Sequence, residues 1–203
     1  MKIGAIILAA GAATRMEQAK MLLQFKHSNI LSHILEEVQW IQPVAMTVVT
    51  GYYHEEIIGS RSIDESLICF NKNWSEGIST SIQVGLVNLL TKESDLDLIF
   101  IIMSDQPFLN SELMQEMINK KQISGKGIIA AKYDGIVGSP VLFHKTYFND
   151  LSNLKGDKGA KQILQQNPED LCTIDFELGA LDIDTVCDYE LLQKILNEKN
   201  ADR

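Results

Sequence analysis

The sequence predicts an α/β three-layer sandwich with a mostly parallel sheet, and three observations carry that expectation. Strand-like and helix-like segments alternate along the chain. The strand-like ones, KIGAIIL at 2–8 and DLIFIIM at 97–103 above all, are almost continuously apolar, as strands covered on both faces tend to be. The connections between segments are short, and in such a fold a ligand site lies beyond the carboxyl ends of the strands.

The first strand, Lys2 to Leu8, gives way to a loop of small residues. From Ser28 to Ile41, Leu31, Ile34, Leu35, Val38 and Ile41 recur at helical spacing, with Glu36, Glu37 and Gln39 on other faces. Ala45 to Thr50 and Ser66 to Phe70 read as short strands around a helix near His54 to Ser60. Ser79 to Leu90 is a second amphipathic helix, and Asp97 to Met103 is the most apolar strand, stopping at Ser104-Asp105-Gln106-Pro107. Asn110 and Ser111 offer N-caps for a helix carrying Leu113, Met114, Met117 and Ile118, and Gly127 to Ala131 follows as a strand. Gly135 to Phe143 holds Gly138 and Pro140, so it is expected at a sheet edge or in a connecting ribbon. A short helix over Lys158 to Gln166 precedes Leu171 to Asp175 and Leu178 to Thr185, read as short strands. A last helix turns Tyr189, Leu192 and Ile195 inward. With no repeat, low-complexity tract or linker, residues 1–203 are expected to form one domain.

The 203 residues are 45% apolar, enough to bury a core. A net charge of -9 and an isoelectric point of about 4.9 leave no overall positive field for a nucleic-acid backbone or an anionic membrane. An anionic ligand must therefore be held locally. Cys69, Cys172 and Cys187 are odd in number and lack CxxC spacing, so they read as packing residues in a reducing compartment. No apolar run reaches the roughly 20 residues that span a bilayer. A cytoplasmic protein with neither nucleic-acid nor membrane partners is expected.

The stretch ILAAGAATRMEQAK at 7–20 raises the question of chemistry. Ala9, Ala10, Gly11, Ala12 and Ala13 leave backbone N–H groups accessible, and Gly11 can take a positive φ that aims several of them at one anion. Arg15 offers a planar fork for phosphate oxygens, and Lys20 a mobile point charge. The alternative is a small loop that lets the strand pack under a helix, with both cations solvated. Neither GxGxxG nor GxxxxGK[ST] is present, so the two familiar nucleotide loops are excluded. Asp105, directly after a buried strand, is either a rigidly held ligand or a cap for the helix that starts near Asn110. Asp182 and Asp184 alternate in LDIDT and would share a strand face, where two like charges invite a cation; a solvated acidic face is the alternative.

Residues 8–23, LAAGAATRMEQAKMLL, resemble the signature LAAGxSxRMGxxKxLL of the MobA-like nucleotidyltransferases, most closely those that make dinucleotide forms of the molybdenum cofactor. Ala13 stands where Ser is usual and Glu17 where Gly is usual. Three further stretches are similar: WSEGISTSIQVGL at 74–86 to a segment ending SIxxGL, GSPVLF at 138–143 to GHPVLF, and LKGDKGAKQIL at 154–164 to LxGDxGAR. Ser139 replaces the usual His and Lys161 the usual Arg. The likeness runs from Ile7 to Tyr189.

The resemblance implies a Rossmann-like, nucleotide-diphospho-sugar transferase-like sheet. It implies a nucleotide held by Leu8, Ala9, Ala10, Gly11, Ala12, Arg15, Lys20, Gly77 and Ser81, with Arg15, Lys20 and Asp105 catalytic. Asp105 and Asp184 would hold Mg²⁺, and Gly138, Ser139, Pro140, Gly156 and Asp157 would receive the acceptor. Guanylyl-transferring members carry LAGG and cytidylyl-transferring members LAAG, so CTP is implied as donor. The molybdenum cofactor is implied as acceptor and a molybdenum hydroxylase as the receiver of the product. A nucleotidyltransferase for another phosphorylated acceptor, and a non-catalytic protein that delivers the cofactor, are the alternatives.

Overall fold

The computed structural model describes residues 1–12, 18–181, 183, 185 and 188–194. Ala13, Arg15, Glu17, Asp182, Asp184, Cys187 and Ile195 lie outside them. The elements are β1 (Ile3–Ala9), β2 (Gln24–Phe25), β3 (Ser28–Asn29), α1 (Ile30–Trp40), β4 (Ala45–Thr50), α2 (His54–Gly59), β5 (Ile68–Phe70) and α3 (Ile78–Lys92). They continue with β6 (Leu98–Met103), α4 (Ser111–Ser124), β7 (Ile128–Tyr133), β8 (Ile136–His144), α5 (Phe148–Ser152), α6 (Lys161–Gln166) and β9 (Leu171–Asp175). Residues 188–194 are helical.

Seven strands form one sheet in the order β5-β4-β1-β6-β8-β7-β9, and β2 pairs with β3 apart from it. Within the seven-stranded sheet, β8 alone runs against its neighbours and the other pairings are parallel; the separate β2–β3 pair is antiparallel. Alternation along β1 explains its continuous apolarity: Ala5, Ile7 and Ala9 enter the core under α1 and α4, while Ile6, Leu8 and Ala10 enter the core under α3, α5 and α6. Phe100 and Phe143 are fully buried, one in each layer, and each such side chain contributes about 1.5–3 kcal/mol. Among the described residues, no helix is long and apolar enough to cross a membrane.

Local rules place the helix ends. Asn29 Oδ1 accepts the Ser32 N–H at 2.8 Å at the start of α1. At the start of α4 the cap is Asn110, which accepts the Leu113 N–H at 2.8 Å, while Glu37 Oε2 accepts the Ser111 N–H and ties α1 to α4. The left-handed Gly125, at φ 68°, closes α4.

Three expectations are corrected. β8 lies inside the sheet, between β6 and β7, not at its edge. The register of β7 against β8 passes from Ala130–Val141 to Ala131–Gly138, so Ser139 and Pro140 stand outside the ladder and the missing Pro140 N–H costs no ladder bond. The stretch expected as a strand over Leu178 to Thr185 begins as a 3-10 turn, Glu177–Ala180, and neither Leu181 nor Ile183 is in a strand. Gly179 packs against the rings of Phe176 and Tyr133, and its N–H donates to Phe176 O at 2.8 Å, which turns the chain immediately after β9. The helix expected over Lys158 to Gln166 is split by Gly159, at φ 53°, into the 3-10 turn Gly156–Lys158 and α6.

Candidate active site

The strand order reverses between β1 and β6, and a cavity of about 300 Å³ opens beyond their carboxyl ends. Leu8, Ala10, Gly11 and Ala12 line one side, and Met103 at the end of β6 joins them. Ala9 faces the opposite core and contributes no lining. Small residues are required here by one contact: a side chain at Gly51 would meet Ala10 O at 2.5 Å and Trp74 Cβ at 2.7 Å. The Tyr52 N–H donates to Ala10 O at 3.1 Å and fixes that approach. Gly11, expected at positive φ, is not among the positive-φ glycines, and the space around its Cα is open. The close packing sits at Ala10 and Gly51, so no left-handed turn at Gly11 is needed.

The opposite side is built by the start of α3. Gly77, at φ 111°, lets the chain enter the helix from the 3-10 turn Trp74–Glu76, and Trp74, Ser75, Gly77 and Ser81 line the cavity. Asn71, almost wholly buried, organises this corner: its Oδ1 accepts the Asn73 N–H, and its Nδ2 donates to Thr80 Oγ1 and to Ser81 Oγ, all at 2.9 Å. Tyr52 meets Trp74 edge to face, ring centroids 5.2 Å apart. Over Gly77 lies the segment 152–159. Gln83 Nε2 donates to Ser152 O and Leu154 O, each at 2.9 Å. Gly156 and the Asp157 carboxylate pack where a Gly77 side chain would stand, and Asp157 closes the cavity.

A ledge after β6 carries Asp105. The Ser104 N–H donates to Leu8 O at 3.1 Å, holding this turn beside the end of β1. The buried Gln106 donates through Nε2 to Tyr133 Oη and to Gly179 O, both at 3.2 Å, and the Ile183 N–H donates to Asp105 O at 3.4 Å. The end of β6, the β7–β8 hairpin and the turn after β9 are thereby tied together around Asp105. Since Asn110 caps α4, the capping alternative for Asp105 falls away. Ser139 Oγ accepts the Met103 N–H at 3.0 Å, which puts the Gly138–Pro140 bulge next to the cavity wall.

The chain matches the MobA-like NTP transferase domain over residues 5–171. It belongs to that family. The MobA-like chain is 30% identical over 127 residues to the bifunctional protein GlmU of Bifidobacterium longum subsp. infantis, covering 61% of this chain and 27% of GlmU, so it spans about a quarter of that relative. It is 26% identical over 192 residues to the molybdenum cofactor cytidylyltransferase of Escherichia coli K12, covering 92% and 93% of the two chains. In fold it is similar to Rv0371c of Mycobacterium tuberculosis H37Rv, with a TM-score of 0.81 at 22% identity, covering 95% and 99% of the two chains. A structure of Rv0371c complexed with manganese superposes with a TM-score of 0.76. The nucleotide-diphospho-sugar transferase-like fold expected from the sequence is thus the fold observed.

Of the residues singled out in this MobA-like sequence, Leu8, Ala10, Gly11, Ala12, Gly77, Ser81 and Asp157 meet at one cavity. Gly156 packs at its rim, and Gly138, Ser139 and Pro140 reach it through Met103. Lys20 begins the 3-10 turn Lys20–Leu22, anchored by the buried Met21 against the α1 layer. Arg15 and Asp184 are outside the described residues. Sequence reasoning missed Trp74, Ser75, Ile78 and Met103 as wall residues. Trp74 sits directly before SEG in the segment already quoted, an aromatic at a strand exit, which was the available signal. Among the described residues, no group of three or more His, Cys, Asp or Glu side chains could hold a metal. Mg²⁺ does not require such a cage, since it binds through one or two carboxylates together with phosphate oxygens and water, and Asp105 on its braced turn fits that donor set.

Proposed function

We propose that this chain, acting as a single domain over residues 1–203 in the cytoplasm, transfers CMP from CTP to the phosphate of the molybdenum cofactor and releases pyrophosphate. The observation that carries the reading is the cavity at the carboxyl edge of the sheet, where the Ala10–Ala12 loop faces Gly77 and Ser81 beside the Asp105 ledge. The near end-to-end alignment with the E. coli cytidylyltransferase supports the acceptor. The product would pass to a molybdenum hydroxylase.

A phosphate oxygen of the acceptor forms a bond to the α-phosphorus, and the bond from that phosphorus to the β-phosphate oxygen breaks with pyrophosphate leaving. Such transfer needs positioning and charge stabilisation more than covalent help. Backbone N–H groups of Ala10 to Ala12 hold phosphate oxygens, and Arg15 with Lys20 neutralises charge on the departing pyrophosphate. Asp105 and Asp184 would hold Mg²⁺, which would supply positive charge to neutralise the phosphates. Gly138, Ser139, Pro140, Gly156 and Asp157 receive the acceptor.

The test is pyrophosphate release with Mg²⁺, each nucleoside triphosphate in turn, and either molybdenum cofactor or a sugar phosphate. Release only with CTP and the cofactor is expected. Release with a sugar phosphate gives the reaction to another acceptor, and cofactor binding without release makes the chain a carrier. Asp105→Ala is expected to lower turnover at least about 100-fold with an unchanged melting curve; full activity in that variant removes Asp105 from the site.

A further inference from the structure

We infer that Tyr189 and Gln193 are positioning residues for Lys20: from the helix over 188–194 they fasten the turn that carries Lys20 to the ledge that carries Asp105. The assignment rests on the nucleotidyl-transfer reading, in which both groups act on one phosphate chain. Lys20 and Asp105 come from distant parts of the chain, one after β1 and the other after β6. Lys20 opens the turn Lys20–Leu22, and the Leu23 N–H returns to Lys20 O at 3.0 Å. Gln24 follows at once in β2, a strand of two residues that pairs only with β3. So short a ribbon is not stable alone, and what it is fastened to decides where the Lys20 turn stands.

The ribbon is fastened on two sides. Inward, the fully buried Phe25 meets Phe108 edge to face, ring centroids 6.1 Å apart, and Phe108 belongs to the stretch just after Asp105. Outward, Gln24 O accepts the Tyr189 Oη–H at 2.9 Å and the Gln193 Nε2–H at 3.1 Å. Tyr189 and Gln193 are four residues apart on one helix face, and together they take both lone pairs of that carbonyl. Leu192 is buried in the core under α1, and Tyr189 packs against the same core. A reciprocal cap starts the helix: Asp188 Oδ2 accepts the Thr185 N–H at 2.7 Å, and Thr185 Oγ1 accepts the Asp188 N–H at 3.2 Å. Two residues before the cap, the buried Ile183 donates its N–H to Asp105 O at 3.4 Å. Bonds from Ile183, Tyr189 and Gln193 thus reach the Asp105 ledge at one end and the Lys20 ribbon at the other.

Neither Tyr189 nor Gln193 lines the cavity, so their effect passes through Lys20. A cation that neutralises the departing pyrophosphate acts in the transition state, and its displacement lowers kcat while KM for CTP stays. Misplacing such a group by about 1 Å costs about 100-fold.

The experiment measures kcat and KM for CTP from pyrophosphate release with Mg²⁺ and molybdenum cofactor. It compares the wild type, Tyr189→Phe, Gln193→Leu, the double variant, Lys20→Ala and the double variant in the Lys20→Ala background. Either donor alone still fastens Gln24 O, so each single change should cost kcat less than about threefold. The double variant should lose about 10–100-fold in kcat, with KM kept within about twofold. Its melting temperature should stay within about 2 °C of the wild type. Once Lys20 is alanine, the double change should cost less than about twofold more. Amide hydrogen exchange over residues 21–25 in the double variant should quicken by about tenfold or more while β1 keeps its protection. Losses that multiply in the Lys20→Ala background, a change confined to KM, or wild-type exchange over residues 21–25 overturn the assignment while the transfer reading stands. No pyrophosphate from the wild type with any triphosphate overturns both.

Discussion

At the residue scale, the buried His33 shows how position decides protonation. It packs 4.8 Å from the Phe25 ring, centroid to centroid, with Lys26 Nζ 3.4 Å from its Nε2 and Glu37 Oε1 4.0 Å from its Nδ1. Burial first, and then the Lys26 charge, lower its pKa to about 4 against the opposing pull of Glu37. The folded pKa lies below the unfolded value of 6.5, so unfolding takes up a proton between pH 6.5 and about 4. The stabilisation from keeping His33 neutral is complete above pH 6.5 and is lost as pH falls through that window. Urea midpoints measured from pH 7 to 4 should fall for the wild type. They should fall less for His33→Gln, and an equal slope in the two proteins would show that other groups carry the acid limb.

At the element scale, α3 is the piece on which the site depends. A side chain at Gly85 would meet Ile6 Cγ2 at 2.6 Å and Val49 Cγ2 at 2.8 Å, so the helix lies directly on β1 and β4. This accounts for the glycine of SIQVGL by packing, while Ser81 in the same motif serves the cavity. Gly85→Ala is expected to cost about 1–3 kcal/mol in urea unfolding. A second brace lies at the far end of the sheet. Asp170 accepts the Gly127 N–H at 2.8 Å and the Tyr147 Oη–H at 2.7 Å, tying the approaches to β7 and β9. Burial there, with the carboxylate as second cause, pushes the Tyr147 pKa up to about 12.

At the scale of the whole molecule, a chain of net charge -9 has no overall positive field, so the proposed triphosphate site must hold its anion through local groups. Chelation with EDTA should stop pyrophosphate release without moving the melting curve, and added Mg²⁺ should restore it; release that persists in EDTA would take the metal out of the reaction. The sequence by itself determined the layers, the nearly continuous apolar strands, the capped helices and the loop after β1, because burial on two faces and helix capping leave local patterns. Ordered motifs also marked most residues that reach the cavity. Only the tertiary structure decided that β8 lies inside the sheet, since a bulge that absorbs Pro140 depends on the partner strand. Likewise, only packing placed Asp157 against Gly77 and Trp74 in the wall: those contacts join residues distant in sequence, and no local periodicity encodes them.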